Sequence, residues 1–362
     1  MSQRASSMIP RMHSAPNPNS AASITTEWLS KVMGDEVTSF ALDDIGAGIG
    51  IFGEIVRVSL LGSNALPSSV VAKFPTQETA NRVVGDALGI YEREVRFFRE
   101  IAPSNQLRVP QCYVADSSDG LHVLLLEDLG SHRPGDQIVG VTPNDAEQIV
   151  VVGLAGLHAT WWELPELHSL SWLPTSCDPV YLTAVPPIYA AGLPVLENSW
   201  ADRVGDDAVG LARRIGARFD DVIRRTADAP TTFLHGDSRL DNFFFDAHGE
   251  PIFIDFQLSV RGRGPHDVAY LIGSSMNVAD QRVHWERLLR RYHDELIAAG
   301  VEGYDWDRCL HDYRESVLYL TVGAMSLIAT FESGNARGAA MSEAYTVRMF
   351  RHAVESGAEH EL

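Results

Sequence analysis

Cysteine is scarce in this chain of 362 residues, which has only Cys112, Cys177 and Cys309. Their number is odd, and their wide separation matches neither a disulfide framework nor the paired spacing of a zinc site. We therefore expect unpaired thiols in a reducing compartment, which places the protein in the cytoplasm.

Basic residues are also few, since 29 Lys and Arg stand against 48 Asp and Glu and give a formal net charge of −19 at pH 7. Nucleic-acid-binding proteins usually carry a basic patch, so this balance argues against a nucleic-acid partner. Net charge favours cationic partners in general but does not identify a substrate.

Long apolar runs are missing as well. The longest, residues 317–329, is too short to cross a bilayer and is typical of a buried helix. Residues 1–22 contain Ser, Ala, Pro and Asn without the apolar core of a signal peptide, so we expect a disordered leader there. The sequence therefore predicts no association with a membrane.

The remaining pattern predicts an α+β fold with two lobes. Strand-forming residues between turns dominate the first part, and we predict strands at 39–45, 53–61, 69–74, 109–115 and 121–126 around a helix at 79–101. Beyond residue 130 the pattern is mainly helical. We place a small, β-rich N-lobe at residues 23–128 and a larger, mainly helical C-lobe at residues 129–362.

A glycine-rich segment lies between the first two predicted strands, with Gly48, Gly50 and Gly53 in a Gly-x-Gly-x-x-Gly pattern. Glycines at such a turn let the backbone approach phosphates. A strand pattern follows the last glycine, whereas a dinucleotide-binding fingerprint would open a helix. The segment is consistent with a nucleotide-covering loop and equally with an ordinary glycine-rich hairpin.

Lys73 occupies an apolar strand, where an ammonium group needs a partner to offset its desolvation. In the kinase template a strand lysine holds the α- and β-phosphates of the nucleotide and pairs with a helix glutamate. Glu94 lies on the inward side of the predicted helix and is the better candidate partner. The alternative is an edge-strand lysine that faces solvent.

The segment 232–257 contains the chemistry-bearing residues Asp237, Asn242 and Asp255, spaced as Asp-x4-Asn with the second aspartate thirteen residues further on. Phosphoryl transfer needs a carboxylate to accept a hydroxyl proton, and an amide and a second carboxylate to hold Mg²⁺. The spacing predicts these three roles in chain order. An Asp/Asn turn between strands would explain any one of the residues by itself.

Four further residues have structural interpretations that compete with or replace a functional one. Arg239 could contact the transferred phosphoryl group or face solvent, and we expect His235 to brace the loop by hydrogen bonding. Asp267 could cap a helix N-terminus, contact the catalytic loop, or do both. His158 lies on an apolar helix, and this position favours a hydrogen-bonded core histidine over a ligand-binding histidine.

Together these residues resemble the aminoglycoside phosphotransferase and choline kinase superfamily over residues 25–350. The motif His-Gly-Asp-x4-Asn, the catalytic signature of that superfamily, stands here at residues 235–242. The Asp-Phe-Gln block at 255–257, with Gly-Pro at 264–265 and the segment 267–270, is more similar to the ecdysteroid-kinase-like branch. The resemblance implies a protein-kinase-like fold, ATP and Mg²⁺ as cofactors, and a hinge at 126–129 in which Glu127 and Leu129 contribute to adenine binding.

The leading functional hypothesis is an ATP- and Mg²⁺-dependent phosphotransferase acting on a hydroxyl of a small molecule. A nucleotide-binding pseudokinase is the alternative, although no residue of the catalytic set is missing. A protein kinase is disfavoured by His-Gly-Asp in place of His-Arg-Asp and by the absence of an Ala-Pro-Glu segment.

The acceptor stays open at this stage. Resemblant enzymes build the acceptor pocket from C-terminal helices, where a polycationic aminoglycoside would require carboxylates, and the chain offers Asp305, Asp307, Asp312, Glu315 and Glu332. An apolar helix at 317–331 would instead favour a hydrophobic alcohol. The sequence leans away from an antibiotic, and it decides neither ATP against GTP nor the oligomeric state.

Overall fold

The structure is a computed structural model that describes residues 17–45, 52–118, 120–330 and 336–362. Gly48, Gly50 and Glu332 lie outside the described residues. The chain divides into two compact units. The first takes in the described residues up to Ala87 together with Gln111–Asp128, and the second takes in Leu88–Pro110 and Leu129–Leu362.

The first unit is built on a five-stranded antiparallel sheet of order β1-β2-β3-β5-β4. Its strands are β1 Val37–Asp44, β2 Gly53–Gly62, β3 Ser69–Pro75, β4 Cys112–Ser118 and β5 Leu121–Glu127. Alternate residues of β2 and β3 are buried, as expected where one face of a sheet covers a core. The predicted strand positions are confirmed to within three residues.

Helix α1, Thr26–Met33, packs on this sheet and begins where the sequence places a cap. The Thr25 side chain accepts a hydrogen bond from the Trp28 N–H, at 3.1 Å. A 3-10 turn, Ala21–Ser23, precedes the helix. Buried Trp28 joins β-strand residues such as Val58 and Val70 in the core of the unit.

The predicted disordered leader, residues 1–22, extends too far, because residues 17–22 have an ordered structure. The Asn17 amide donates to the Asp116 carboxylate, and the Trp28 indole N–H donates to the Asn17 side-chain oxygen at 3.2 Å. Residues 17–22 are therefore ordered against the sheet. Polar composition suggested a disordered segment, but a few long-range hydrogen bonds fix these residues in place.

The second unit is mainly helical. Its helices are α3 Ile90–Arg96, α4 Pro143–Glu147, α5 Ala155–Trp161, α6 Pro165–Ser169, α7 Pro179–Val195, α8 Ala201–Val204, α9 Asp206–Ala217, α10 Phe219–Arg225, α11 Pro265–Ser275, α12 Val278–Ala298, α13 Trp306–Thr330 and α14 Ala336–Glu355. The π-helical turn Phe97–Ile101 extends α3, Gln148–Leu154 joins α4 to α5, and Leu196–Trp200 extends α7. Helices α7, α11 and α14 all pack on α13, which makes α13 the centre of this unit.

Residues 88–110 belong by their contacts to the second unit, although the sequence-based division placed them in the N-lobe. The predicted helix 79–101 is interrupted. Helix α2, Thr79–Leu88, ends before Gly89, whose φ of 67° breaks the helix, and α3 follows. The Phe253 N–H donates to the Arg108 carbonyl at 2.9 Å, which ties this segment to the catalytic part of the chain.

Short strands organise the loops of the second unit. The strands β6 Arg133–Pro134, β8 Phe243–Phe245 and β9 Pro251–Phe253 form one small sheet of order β6-β8-β9. A second pair joins β7 Thr232–Leu234 to β10 Val260–Gly262. The sequence did not predict β10, because three residues with an arginine and a glycine carry no strand pattern.

One helical stretch, Pro179–Val204, is long and apolar enough to span a membrane by length and composition alone, and 17% of its most apolar window is buried inside the protein. It contains Pro186, Pro187 and Pro194. Its first helix, α7, packs on α13, and the Tyr189 hydroxyl donates to the Ala212 carbonyl at 3.1 Å. A core helix of a soluble protein has the same length and composition, so this feature is weak evidence for a membrane.

Candidate active site

A β-hairpin brings Asn242 and Asp255 together. Strands β8 and β9 pair with Phe243 opposite Phe253, so the residues just before β8 and just after β9 lie at the same end. The Ile254 N–H donates to the Asn242 carbonyl at 3.1 Å, which extends the pairing by one step. Thirteen residues of sequence therefore separate two oxygen ligands that the hairpin makes neighbours.

Asn242 also holds Asp237. Its side-chain amide donates to the Asp237 backbone carbonyl at 2.8 Å and to Asp237 Oδ2 at 2.9 Å. Both residues are at most 5% exposed. Since both N–H groups of the amide are used on Asp237, the Asn242 Oδ1 atom is the part of this side chain left for another ligand.

Asp255 has a backbone conformation that non-glycine residues rarely adopt, with φ of 64° and ψ of 66°. Such a left-handed residue costs on the order of 1–3 kcal/mol and persists only where its surroundings enforce it. The next residue, Phe256, is fully buried and fixes the chain direction after the hairpin. An enforced conformation at a carboxylate beside Asn242 and Asp237 is typical of a functional site.

His235 braces the loop, as predicted. Its Nδ1 accepts the Asp237 N–H at 3.2 Å, and its Nε2 lies 2.9 Å from the Ile254 carbonyl oxygen. One ring nitrogen must accept and the other donate, so the imidazole is neutral. Gly236 lies between His235 and Asp237 with φ of 81°, and a Cβ atom at this position would collide with the Leu258 carbonyl oxygen.

Asp267 holds the backbone of this loop through its carboxylate. Its two carboxylate oxygens accept the His235 N–H at 2.7 Å and the Gly236 N–H at 2.9 Å. The His158 imidazole lies 3.1 Å from Asp267 and 2.8 Å from the Tyr292 hydroxyl. The N-cap interpretation of Asp267 is wrong, because Gly264 is the cap of α11 and Asp267 spends its carboxylate on the catalytic loop.

Electrostatics favour an ionised Asp267. Burial by itself would raise the pKa of this carboxyl, but the hydrogen bond from His158 holds the pKa well below its usual value. His158 is therefore a fully buried, hydrogen-bonded histidine, which agrees with the prediction. Its imidazole contacts Asp267 and Tyr292.

Three rings pack in series from the same loop, from His235 through Phe256 to Phe97. The His235 ring lies 4.6 Å from the Phe256 ring, and the Phe256 ring stacks on Phe97 at 3.4 Å and 7°. Phe97 belongs to the π-helical turn that follows α3. The residue after Asp255 thus links the carboxylate to α3, the helix that carries Glu94.

Arg239 does not simply face solvent. Its Nε lies 3.2 Å from Asp237 Oδ2, and its Nη1 lies 3.7 Å from an Asp241 carboxylate oxygen. The charge of Asp237 raises the pKa of the guanidinium above its usual value. A contact with a transferred phosphoryl group stays a prediction.

Two predicted nucleotide-site residues, Gly53 and Lys73, lie side by side in the first unit. Gly53 begins β2 and pairs with Pro75, while Lys73 pairs with Ile55 on β2 and Leu124 on β5. A Cβ atom at Gly53 would lie 3.5 Å from Lys73 Cε. Lys73 therefore occupies a central strand, and the edge-strand alternative is wrong.

The remaining predicted site residues fall at element ends or in helices. Glu127 ends β5, and its carboxylate accepts the Gln111 N–H at 2.9 Å. Leu129 is buried, and its carbonyl accepts the His132 N–H at 2.8 Å. Glu94 is 4% exposed on α3. Their nucleotide-binding roles stay predictions.

Sequence reasoning missed Gln137, which is fully buried beneath the catalytic loop. Its side-chain oxygen accepts the Leu240 N–H at 2.9 Å, and its own N–H donates to Asp241 Oδ1 at 2.8 Å. The side-chain amide also donates to the Ser274 carbonyl at 2.7 Å. An isolated glutamine in a loop carries no motif, so only the fold identifies this support.

A cavity of about 170 Å³ opens beside the catalytic loop. Gly236 lies in its wall, and the other lining side chains include His266 and four tyrosines, Tyr181, Tyr270, Tyr319 and Tyr345. Burial and the charge of Asp237 raise the pKa of Tyr270 well above its usual value, which is a sign that Asp237 is close to this wall. Tyr270 ends the segment 267–270, and the sequence by itself gives it no role.

The acidic residues considered for a cationic acceptor lie elsewhere within the described chain. Asp312 pairs with Arg308 at 2.8 Å and with Arg263 at 3.2 Å, and Glu315 pairs with Arg225 at 2.8 Å. The exposed Asp305 accepts the Arg308 N–H at the start of α13. None of the carboxylates described lines the cavity.

The oxygen donors fit a hard divalent cation. Asn242 Oδ1 and the Asp255 carboxylate lie at the same end of the hairpin, and Mg²⁺ prefers a few such oxygens together with phosphate and water. The donor set contains no thiolate or imidazole nitrogen that would select a softer metal. Asn242 and Asp255 are therefore suited to hold Mg²⁺.

Three solved structures show the same fold. A microcompartment-associated aminopropanol kinase is 14% identical with a TM-score of 0.54, and covers 91% of this chain and 97% of its own. The choline kinase LicA from Streptococcus pneumoniae is 15% identical with a TM-score of 0.50, over 91% and 96%. The GDP complex of aminoglycoside 2'-phosphotransferase-IIIa is 15% identical with a TM-score of 0.53, over 90% and 96%.

Comparison with curated proteins gives no match. The model of the ecdysteroid kinase-like family matches residues 52–300, which is well over half of the chain and includes the catalytic segment. The predicted protein-kinase-like fold and the predicted superfamily are both confirmed. By this match, the chain belongs to the ecdysteroid kinase-like family.

Proposed function

We propose that the protein is an ATP- and Mg²⁺-dependent phosphotransferase that moves the γ-phosphoryl group to a hydroxyl of a small molecule. The observation that carries the proposal is the arrangement of Asp237, Asn242 and Asp255 around one hairpin end. Family membership and the likeness to choline and aminopropanol kinases support the reaction class.

Asp237 is the proposed general base. Its Oδ2 is engaged by Asn242 and Arg239, whereas its Oδ1 makes no hydrogen bond to the residues described. The acceptor O–H would donate to Oδ1 as its oxygen attacks the γ-phosphorus. The bond from that phosphorus to the β-phosphate oxygen breaks, the nucleoside diphosphate leaves, and Asp237 takes the proton.

Positioning does most of the remaining work in this mechanism. Asp267 and Gln137 fix the backbone of the loop, and Asn242 fixes the Asp237 side chain. When bound by Asn242 and Asp255, Mg²⁺ would offset the negative charge of the phosphates. We propose that Lys73 holds the α- and β-phosphates and that Glu94 orients Lys73.

The base of the nucleotide is a separate question, since aminoglycoside 2'-phosphotransferase-IIIa is described as a complex with GDP. ATP stays our proposal for this chain, and the assay should supply ATP and GTP in parallel. If the acceptor is phosphorylated with GTP but not with ATP, the phosphate donor would change and the reaction class would stay the same.

The first test is the variant Asp237→Ala. We expect kcat to fall by about 10²–10⁴, the usual contribution of a general base, while the affinity for the nucleotide changes little. Product formation would be followed by mass spectrometry with an alcohol panel, with and without EDTA. The matched control is Asp294→Ala on α12, because Asp294 is 72% exposed. Unchanged turnover in Asp237→Ala would contradict the assignment.

Nucleotide binding should be measured alongside activity. A rise in melting temperature with ATP and Mg²⁺, without phosphate transfer to any acceptor, would favour the nucleotide-binding pseudokinase instead. The same titration in Asp255→Ala tests the proposed metal ligand under either hypothesis. There we expect the Mg²⁺-dependent part of the shift to be lost, because Asp255 supplies a charged ligand.

A further inference from the structure

The cavity beside Asp237 has a definite chemistry. Its lining includes no Asp, Glu, Lys or Arg among the residues that the structure describes, and aromatic and aliphatic side chains dominate it. Asp237, which follows Gly236 of the cavity wall, is already paired with Arg239 at 3.2 Å. A cationic acceptor would lose hydration here without gaining an unpaired carboxylate.

The size of the cavity limits what it encloses. Its volume of about 170 Å³ is close to the ~150 Å³ of apolar cavities that accept a single benzene ring. A fused four-ring skeleton or a three-ring aminoglycoside exceeds that volume, so the cavity would enclose only a part of either. The enclosed part of a ligand is therefore about one six-membered ring.

The walls are arranged to contact a ring. Tyr270 and Tyr345 meet edge to face with centroids 6.1 Å apart, and His266 lies 5.8 Å from Tyr319. Aromatic side chains in such tilted pairs offer both faces and edges to a planar or puckered guest. Val322, in the same wall, completes the apolar surface from α13.

His266 supplies a polar group to this apolar cavity. It is 6% exposed and lines the cavity, and its imidazole makes no hydrogen bond within the described part of the chain. Burial lowers the pKa of His266, so the ring is neutral at pH 7 and offers one donor and one acceptor. In the lining of an open cavity this imidazole can hydrogen-bond to water, and the hydroxyl of a bound ligand could take the place of that water.

We propose that this cavity receives the acceptor, that it selects a small uncharged alcohol carrying about one ring of apolar carbon, and that His266 positions the alcohol by a hydrogen bond. The inference rests on the proposed phosphotransferase function, because Gly236 in the cavity wall directly precedes Asp237. His266 is a positioning residue in this proposal and takes no part in the bond changes.

Direct binding tests the site without relying on catalysis. Benzyl alcohol, toluene, choline and kanamycin would be titrated into the nucleotide-free protein and followed by NMR. We expect benzyl alcohol to bind, toluene to bind more weakly, and the two cations not to compete for the cavity. Val322→Phe should fill the cavity and weaken benzyl alcohol binding at least tenfold. Val283→Phe is the matched control, since Val283 is 71% exposed on α12.

The role of His266 has its own readout. His266→Phe keeps a ring but removes the hydrogen bond, so the affinity ratio of benzyl alcohol to toluene should fall towards one while toluene still binds. His266→Gln should restore part of the ratio. A merely structural His266 would weaken both probes equally, and that result would overturn its assigned role.

Two failures can be told apart. If benzyl alcohol binds and Val322→Phe blocks it, but no alcohol is phosphorylated with ATP or GTP, the site stands and the proposed function fails. If choline or kanamycin is phosphorylated and Val322→Phe leaves that activity unchanged, the function stands and the cavity proposal is overturned. Should Val322→Phe melt well below the wild type, Val260→Phe fills the cavity from β10 and replaces it.

Discussion

Hydrogen bonds occupy almost every polar atom of Asp237. Its N–H goes to His235, its carbonyl and Oδ2 to Asn242, and its Oδ2 also to Arg239. Only Oδ1 is left among the described contacts, so the side chain presents one basic oxygen in one direction. In the proposed role of general base, this fixed orientation avoids the reorganisation that a mobile carboxylate would need during proton transfer.

Asp267 should matter to catalysis although it contacts no substrate. Asp267→Ala leaves two buried N–H groups and His158 without an acceptor, and we expect a loss of about 3–5 kcal/mol in the free energy of unfolding. The turnover number should fall as well, with little change in nucleotide affinity. Urea unfolding and steady-state assays measure the two effects.

The pH dependence of that loss has a definite sign. The pKa of Asp267 is lower in the folded than in the unfolded chain, so its stabilisation is complete above pH ~4 and declines as the pH falls further. The difference between wild type and Asp267→Ala should therefore shrink below pH ~4. Asp220→Ala, an exposed acid in the first turn of α10, is the control. A difference that stays constant to pH 3 would contradict an ionised Asp267.

The sequence could predict that Asp237, Asn242 and Asp255 lie near one another, because their spacing reflects a hairpin of fixed length. It could not predict the roles of Gln137 and His266. Each acts through a contact with residues more than 25 positions away or through a cavity that several helices create together. Such contacts depend on tertiary packing and leave no periodic pattern in the chain.

At the scale of elements, the β8–β9 hairpin and the turn after α3 form a single packed unit. Phe243 and Phe253 pack edge to face at 4.8 Å, and Phe256 stacks on Phe97. The phenylalanine and isoleucine runs of these two strands favour extended structure, so their sequence agrees with the hairpin. The π-helical turns have no such signal, since a change from i+4 to i+5 bonding has no sequence signature.

Phe256→Ala tests whether this stack positions the catalytic carboxylates. Removing a fully buried phenyl ring should cost about 3–5 kcal/mol of folding stability. The loss should also reduce turnover, since Phe256 supports His235 and directly follows Asp255. Phe244→Ala is the control within the same hairpin, because Phe244 is only partly buried. Equal losses of activity in both variants would show that the stack has no special role.

At the scale of the whole chain, the formal charge of −19 is not concentrated at the catalytic loop or the cavity. Many acids pair with arginines, as Glu147 does with Arg287 at 2.7 Å. The sequence-level argument that acidity suits a polycationic acceptor therefore fails at the cavity. Overall charge reports on solubility and long-range attraction, whereas the lining side chains determine selectivity.

Acid sensitivity of the chain should come in part from buried histidines of the second unit. Fully buried His352 lies 2.6 Å from the Tyr313 hydroxyl, and burial lowers its pKa to about 3. The unfolded chain takes up this proton near pH ~6.5, so native stability should decrease as the pH falls from ~6.5 towards 3.

The double variant Tyr313→Phe/His352→Phe tests this contribution. It removes both hydrogen-bonding partners while keeping two rings, so stability at pH 7.5 should change little. The slope of unfolding free energy against pH should become smaller between pH 6.5 and 4, because one buried titrating group is gone. Urea unfolding at several pH values measures the slope. His248→Phe removes an exposed histidine as the control, and an equal decrease of slope in that variant would rule out burial as the cause.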